Sequence, residues 1–124
     1  MLIGLGHDLQ RVSEFDNCLA LRQPGLFFTE LETRHFGFQA QPIQSLAATF
    51  SAKEALFKAL PTATAFFWTD IEVTHDESGK PGYRLHGRLG QISLQSGWHI
   101  RLSISHSGEY VSTVALIATS GSIR

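Results

Sequence analysis

The chain has 124 residues, 43% hydrophobic and 17% charged, which predicts one globular domain over residues 1–124 and excludes a disordered chain. Ten Lys and Arg against eleven Asp and Glu leave a formal charge of −1, which argues against nucleic-acid binding through bulk positive charge. The single cysteine, Cys18, excludes an internal disulfide framework and a zinc site made of several thiolates.

The first five residues are apolar, but His7 and Asp8 follow almost at once, so the start lacks the pattern of a signal peptide. No stretch approaches the roughly 18 consecutive apolar residues that a membrane-spanning helix needs. We therefore expect a soluble, cytoplasmic protein that binds neither membranes nor nucleic acid.

A strand followed by a helix is predicted at the N-terminus. Met1–Gly6 alternates around two glycines, which is typical of a short strand, and Asp8 would stand at or just after its end. Apolar residues from Leu9 to Leu21 recur at spacings of three and four, which predicts a helix that ends before Pro24.

Two more helices are predicted in the first half of the chain. Thr29 and Glu32 have the spacing of a capping box, so a short helix should begin there and run to about Phe36. The strongest helical pattern covers Ser45–Leu60, in which Ser45 can cap the first turn and Pro61 stops the last.

From residue 70 the apolar period changes from helical to two, which predicts strands. A turn over Asp76–Pro81 would join the first two of these strands, and Leu89–Gln95 is compatible with a short helix. The strands are expected over Asp70–Thr74, Tyr83–Leu85, His99–Ser105 and Tyr110–Ala118. The predicted class is α+β, an antiparallel sheet with helices packed on one side.

A polar stripe interrupts the apolar pattern of the Ser45–Leu60 helix. Ser51, Glu54 and Lys58 share a narrow arc flanked by alanines, so another group can approach this face closely. Glu54 and Lys58 are four residues apart, and a surface ion pair would explain them as well as a functional site would. Lys53 projects from the apolar arc, from which its ammonium can extend to solvent.

Asp8 admits two interpretations from the residues alone. A carboxylate that follows an apolar strand often caps the next helix. Alternatively, Asp8 and Glu54 could be metal ligands. Two carboxylates are a usual number of protein ligands for Mg²⁺, which keeps some water ligands and takes the others from substrate phosphates.

His106 is the last residue of the segment Ser103–His106, which lies at the end of a predicted strand. It could complete a catalytic triad, but no G-x-S-x-G motif precedes it, so a structural role and a hydrogen bond to phosphate remain open. The six histidines show no H-x-x-x-H pairing, and no zinc site is predicted. Glu77–Pro81 is interpreted first as a hairpin turn, being too short for a P-loop.

These features together resemble a two-part family signature. Gly4-Leu5-Gly6-His7-Asp8-Leu9, followed at a distance by F-S-A-K-E-A-L-F-K over residues 50–58, is similar to the G-x-D segment and the aromatic-S-x-K-E-A-x-x-K helix of 4′-phosphopantetheinyl transferases. The chain length is similar to that of the family's short holo-acyl-carrier-protein synthase type. Segments that resemble the family's other motifs follow in the family's order at Leu26–Leu31, Asp70–Val73, Gly79–Pro81 and Ser103–His106.

The resemblance implies a reaction in which the phosphopantetheine arm of coenzyme A moves to a serine of an apo acyl carrier protein, releasing adenosine 3′,5′-bisphosphate. By this resemblance Asp8 and Glu54 would hold Mg²⁺ or Mn²⁺, and Glu54 and Lys58 would be the catalytic residues, with Lys58 reaching the phosphates. Either Glu54 or a water on the metal would accept the serine proton.

The resemblance also implies a homotrimer with active sites between neighbouring subunits. A carrier of fatty acid synthesis and a carrier of a secondary pathway are both compatible with it. The residues that it implies for coenzyme A binding are Lys53, Lys58, Gly79, Lys80, Pro81, Ser105 and His106.

Three positions depart from the family pattern. Thr49 stands where an arginine is usual, which removes a bidentate phosphate donor, Pro61 begins a segment that is usually glycine-rich, and His7 replaces a smaller side chain. The changes at Thr49 and Pro61 leave open a degenerate subunit that binds coenzyme A without turnover. A second alternative is a metal-dependent phosphoesterase that acts on coenzyme A with the same two carboxylates.

Overall fold

Two antiparallel sheets and three α-helices form the part of the chain that the computed structural model describes, residues 1–18, 23–61 and 64–120. The first sheet has the strand order β1–β5–β4, and the second pairs β2 with β3. No helix within these ranges is long and apolar enough to cross a membrane. The elements are β1 (Leu2–Arg11), a 3₁₀ helix (Val12–Phe15), α1 (Glu30–Gly37), α2 (Pro42–Ala59), a 3₁₀ helix (Trp68–Asp70), β2 (Ile71–His75), β3 (Pro81–Leu85), α3 (Gly87–Ser96), β4 (Trp98–Ser107) and β5 (Tyr110–Thr119).

β1 continues through the residues where the first helix was predicted. Leu9 pairs with Ser112 of β5, and the ladder extends to Arg11 before the 3₁₀ helix begins. The predicted helix is therefore wrong over this range: its spacing of three and four combines an exposed strand residue, Leu9, with residues of the following 3₁₀ helix. The end of the predicted helix, residues 19–21, lies outside the described residues.

The capping box predicted for α1 is confirmed. The Thr29 N–H donates to Glu32 Oε1 at 2.8 Å, and the Glu32 N–H donates to Thr29 Oγ1 at 3.2 Å. The second oxygen of Glu32 accepts from the Val73 N–H at 2.8 Å, so the same carboxylate ties α1 to β2.

α2 begins earlier than predicted, at Pro42 instead of Ser45. Proline is well suited to the first helical position, because its φ is already helical and that position needs no N–H. The other elements match their predictions within a few residues, and α3 resolves the ambiguous Leu89–Gln95 segment as a helix. The α+β class with helices on one side of an antiparallel sheet is confirmed.

Two glycines let the backbone of α2 lie directly on β1. A Cβ at Gly4 would lie 1.7 Å from the carbonyl oxygen of Ala59, and one at Gly6 would lie 1.9 Å from that of Ala55. Any side chain at these positions would push the helix away from the strand. The close approach brings the polar stripe of α2 next to Asp8 of β1.

The core lies between α2 and the inner face of the three-stranded sheet. Its members are apolar side chains that alternate along the strands and line one side of the helix, as burial on a single face of a sheet requires. The outer face of the same sheet carries apolar side chains in the open, with Leu5 60%, Leu9 57% and Val114 39% exposed. The core includes Leu46, Ala52, Leu56, Val111, Ala115 and Ile117.

Candidate active site

Asp8 and Lys58 form an ion pair between β1 and α2. Lys58 Nζ lies 3.0 Å from Asp8 Oδ1 and 3.1 Å from the backbone oxygen of His7, and Gln10 Nε2 donates to Asp8 Oδ2 at 2.8 Å. Asp8 is buried within β1 and no helix begins beside it, so its interpretation as a helix cap is wrong. Lys58 is half exposed, and its ammonium can also reach a ligand outside the protein.

Glu54 completes this group of charges. Burial and the neighbouring Asp8 carboxylate raise the pKa of Glu54, and the Lys58 ammonium opposes this shift. Among the described residues no hydrogen bond reaches the Glu54 carboxylate, and Lys58 forms its ion pair with Asp8 instead. The predicted surface ion pair between Glu54 and Lys58 is therefore wrong, because Lys58 pairs with Asp8.

The donor set around Asp8 and Glu54 fits a small divalent cation. After burial, the Asp8 carboxylate is the second cause that raises the pKa of Glu54, so the two carboxylates repel each other, and one ammonium accompanies both. Oxygen ligands of this kind are the ones that Mg²⁺ and Mn²⁺ prefer. A cation between them would remove the repulsion that the two carboxylates create.

Lys53 does not belong to this group. Its side chain is fully buried, with Nζ 2.7 Å from Glu32 Oε1, and it donates to the carbonyl oxygens of Phe27 at 2.9 Å, Trp68 at 2.9 Å and Ile71 at 2.6 Å. Burial lowers the pKa of Lys53, and the Glu32 charge opposes this shift. With its ammonium enclosed by these acceptors, Lys53 can neither contact a phosphate nor extend to solvent, and both predictions are wrong.

A cleft of about 760 Å³ lies beside the first half of α2, between the turn that follows β2 and the end of β4. Three residues predicted for coenzyme A binding line it, namely Gly79, Pro81 and His106. Lys80 lies between two of them on the exposed turn, where its N–H donates to Asp76 Oδ1 at 2.9 Å. Ser105 points to the opposite face of β4 from His106, so the structure does not bring it into the cleft.

α2 separates this cleft from the carboxylates. Ala48 and Thr49 line the cleft, whereas Glu54 follows Thr49 by about one and a half turns and so faces away from it. The sequence-predicted residues thus form two groups in one chain, one around Asp8 and one around His106, whereas Lys53 and Ser105 join neither.

Two histidines that sequence reasoning did not select also line the cleft. His35 of α1 and His75 of β2 stack with ring centroids 3.9 Å apart and an angle of 11° between their planes. They are far apart in sequence, and no spacing rule connects them. Only the packing of α1 against β2 brings them together.

Known proteins resemble this chain over nearly its whole length. A holo-[acyl-carrier-protein] synthase from Caldanaerobacter subterraneus is 38% identical over 120 residues, which cover 94% of both chains.

Solved structures of such proteins share the fold. The holo-[acyl-carrier-protein] synthase of Neisseria meningitidis superimposes with a TM-score of 0.79 at 26% identity, covering 96% of this chain and 100% of the other. A holo-(acyl-carrier-protein) synthase from Bacillus anthracis, in complex with CoA (3′,5′-ADP), gives a TM-score of 0.75 at 27% identity, covering 97% and 99%. The family model matches residues 4–115, and the chain belongs to the 4′-phosphopantetheinyl transferase superfamily.

Proposed function

We propose that this protein is a holo-acyl-carrier-protein synthase. It transfers 4′-phosphopantetheine from coenzyme A to a serine hydroxyl of an apo acyl carrier protein and releases adenosine 3′,5′-bisphosphate. Relatives with that name extend over nearly the whole chain, and one related structure is described as a complex with CoA (3′,5′-ADP). The observation that carries the proposal is the cluster of Asp8, Glu54 and Lys58, whose charges suit the transfer of a phosphoryl group.

Asp8 and Glu54 would hold Mg²⁺, or Mn²⁺ in its place. Such an ion neutralises charge on the pyrophosphate and on the group that leaves. Lys58 would add a point charge at the phosphates, since its half-exposed ammonium can reach them from its position beside Asp8. Glu54 has no hydrogen-bond partner in the described structure, so one of its oxygens is available to receive the proton of the serine hydroxyl.

The cleft would hold the nucleotide part of coenzyme A. Gly79, Pro81 and His106 line it, and Lys80 lies on the adjoining turn, so we keep these four residues in the proposed binding site. Gly79 has a φ of +86°, a backbone conformation that glycine adopts readily. Because glycine has no side chain, the backbone groups of this turn are accessible from the cleft. Lys53 and Ser105 are not part of the proposed site.

The separation of the two groups by α2 supports a homotrimer. In such an assembly the cleft of one subunit would face Asp8 and Glu54 of its neighbour, and one coenzyme A would contact both. The exposed apolar side chains on the outer face of the β1–β5–β4 sheet are a suitable surface for subunit contact. We further propose a cytoplasmic location, because coenzyme A is a highly charged nucleotide that does not cross membranes unaided.

The activity is tested by incubating the protein with coenzyme A, Mg²⁺ and a panel of apo carriers from fatty acid synthesis and from secondary pathways. A phosphopantetheine mass gain on a carrier serine is the expected result, and its distribution over the panel identifies the partner. Cleavage of coenzyme A without a carrier would instead indicate a phosphoesterase. Binding of coenzyme A with neither transfer nor cleavage would indicate a degenerate subunit.

The shared site is tested by mixing two inactive variants, Glu54→Gln and His106→Gln, under conditions that let subunits exchange. If Glu54 of one subunit acts with His106 of its neighbour, mixed trimers contain some intact sites and transfer returns. If both residues act within one chain, the mixture stays as inactive as its components. Sedimentation equilibrium of the wild-type protein, with a mass of three chains expected, measures the assembly directly.

A further inference from the structure

The stacked pair of His35 and His75 has no assigned role. Both imidazoles are half-buried in the wall of the cleft, and their rings cover each other face to face. In the ranges that the structure describes, no hydrogen bond to either imidazole is present, so the ring nitrogens are available to a ligand in the cleft.

The pair does not have the geometry of a metal site. A metal ion lies near the plane of each imidazole that binds it, and two parallel stacked rings do not direct their nitrogens to a common point. No group of three or more metal-binding side chains occurs within the described ranges. A ligand that accepts hydrogen bonds from ring edges fits this arrangement better than a cation does.

The cleft needs positive charge if it is to hold a phosphate. None of its described lining residues is a lysine or an arginine, and the lining residues from α2 are uncharged. Thr49 donates its hydroxyl to the backbone oxygen of Ser45 at 2.8 Å, so it is not free to act as a phosphate donor in its present rotamer. The groups of this wall that can become cationic are imidazoles: His35, His75 and His106.

Other titratable groups also line the cleft. Asp76 and Glu77 come from the turn after β2, and His106 comes from β4. Asp76 Oδ1 accepts hydrogen bonds from the backbone and hydroxyl of Ser78 and from the Lys80 N–H. Burial lowers the pKa of His35 and of His75, the proximity of His35 lowers the pKa of His75 further, and the Asp76 carboxylate partly opposes the shift at His75. Near neutral pH both rings are therefore mainly uncharged in the free protein.

We propose that His35 and His75 bind the ribose 3′-phosphate of coenzyme A and take up a proton from solvent when they do so. This inference rests on the proposed function, because it takes coenzyme A as the ligand of the cleft. The 3′-phosphate is a phosphomonoester, whose charge of nearly −2 at pH 7 favours the protonated form of a neighbouring imidazole. The pyrophosphate at the other end of the nucleotide remains with Lys58 and the carboxylates.

The test compares coenzyme A with dephospho-coenzyme A, which lacks only the 3′-phosphate, by isothermal titration calorimetry. The wild-type protein should bind coenzyme A about tenfold or more tightly than dephospho-coenzyme A at pH 6.5, since hydrogen bonds to a charged group are lost with the phosphate. The preference should decrease as the pH rises to 8. Titrations in buffers of different ionisation enthalpy should show proton uptake with coenzyme A and less with its dephospho form.

His75→Gln and His35→Gln should each reduce this preference and its proton uptake while leaving the affinity for dephospho-coenzyme A unchanged. His99→Gln, at the opposite end of β4 from His106, is the matched control and should retain the wild-type preference. Lys80→Gln tests the lysine nearest the cleft as an alternative source of positive charge.

An unchanged preference in both His35→Gln and His75→Gln would overturn the inference, as would a preference that only Lys80→Gln abolishes. Equal binding of the two nucleotides by the wild-type protein would overturn it too, and transfer activity would show that the proposed function still holds. Absence of both nucleotide binding and transfer would overturn the proposed function together with this inference.

Discussion

Lys58 donates to Asp8 across 3.0 Å and so joins the last turn of α2 to the middle of β1. The two ends of this contact differ, because the carboxylate is buried whereas the ammonium is half exposed. A partly exposed ion pair contributes little to stability by itself. Its greater consequence is positional: it holds a half-exposed ammonium beside the carboxylates of Asp8 and Glu54.

Glu54→Gln should lower the rate of transfer by about 10²–10⁴-fold, because the substitution removes both a charge for the metal and a proton acceptor. The helix should stay folded, since glutamine and glutamate have similar helix propensities. Transfer kinetics and circular dichroism measure the two effects. Glu30→Gln, in an exposed ion pair with Arg34, is the matched control and should be as active as wild type. Normal turnover by Glu54→Gln would remove Glu54 from the proposed site.

Asp8→Asn should weaken the dependence of transfer on Mg²⁺, because it leaves one carboxylate where two were present. Asparagine preserves the shape of the side chain and can still accept from Gln10, so β1 should remain paired. The measurement is transfer rate against Mg²⁺ concentration, with thermal unfolding of both proteins in parallel. A variant that unfolds readily but keeps the wild-type Mg²⁺ curve would show that Asp8 is structural.

Lys53→Met should destabilise the protein by about 3–5 kcal/mol, because Glu32 would remain as a buried charge without its partner. Denaturant unfolding gives the change in the free energy of unfolding. Arg34→Met removes an exposed ion pair instead and should cost less than about 1 kcal/mol. If Lys53→Met had wild-type stability and reduced coenzyme A affinity, the assignment of Lys53 to the interior would be wrong.

Gly6→Ala should destabilise the fold by about 3 kcal/mol, because the new methyl group would meet the carbonyl oxygen of Ala55 at 1.9 Å and force α2 away from β1. The same displacement should reduce transfer, since Glu54 and Asp8 would move apart. Gly37→Ala is the matched control: nothing lies within 4 Å of the added Cβ, and the residue does not have a positive φ. Equal stability of the two variants would contradict the close approach.

The histidine pair should make the free protein less stable as the pH falls. The pKa of each ring is lower in the folded protein than the value of about 6.5 expected in the unfolded chain. The unfolded chain therefore binds more protons, and stability should decrease as the pH drops from 7 through 6.5 and below.

The measurement is the free energy of unfolding of wild type minus that of the double variant His35→Gln/His75→Gln, from pH 7.5 to pH 5. Glu32 and Glu54, whose pKa values are raised, act in the opposite direction, but they are present in both proteins and their effect cancels. The difference should become less favourable to wild type as the pH falls. A difference that does not change with pH would contradict the lowered pKa values.

Features that depend only on a local pattern within one helix, strand or turn were predictable from the sequence. The capping box of α1, the strands β2 to β5 and the hairpin turn at Asp76 follow from local rules, and the structure has them. The region from Leu9 to Phe15 was not predictable, because an exposed strand residue and a following 3₁₀ helix together imitate a helical spacing. Only pairing with β5, a contact distant in sequence, identifies this segment as strand.

Within the candidate site, too, local spacing predicted some residues, whereas others depend on contacts between distant parts of the sequence. Asp8, Glu54 and Lys58 were selected from spacing and resemblance, and the structure brings them together. Lys53 was assigned to phosphate although its partner, Glu32, lies on another helix, and no local pattern reveals such a pair. His35 and His75 were missed for the same reason.

Lys53 links two backbone segments, one at Phe27 and the other from Trp68 to Ile71, through the carbonyl oxygens of Phe27, Trp68 and Ile71. A single ammonium on α2 therefore satisfies three backbone carbonyl oxygens. Opening of α2 releases both segments at once, so they should form one cooperative unit with α2. Native-state hydrogen exchange should find that slowly exchanging amides near residues 28 and 71–73 share one opening free energy with α2.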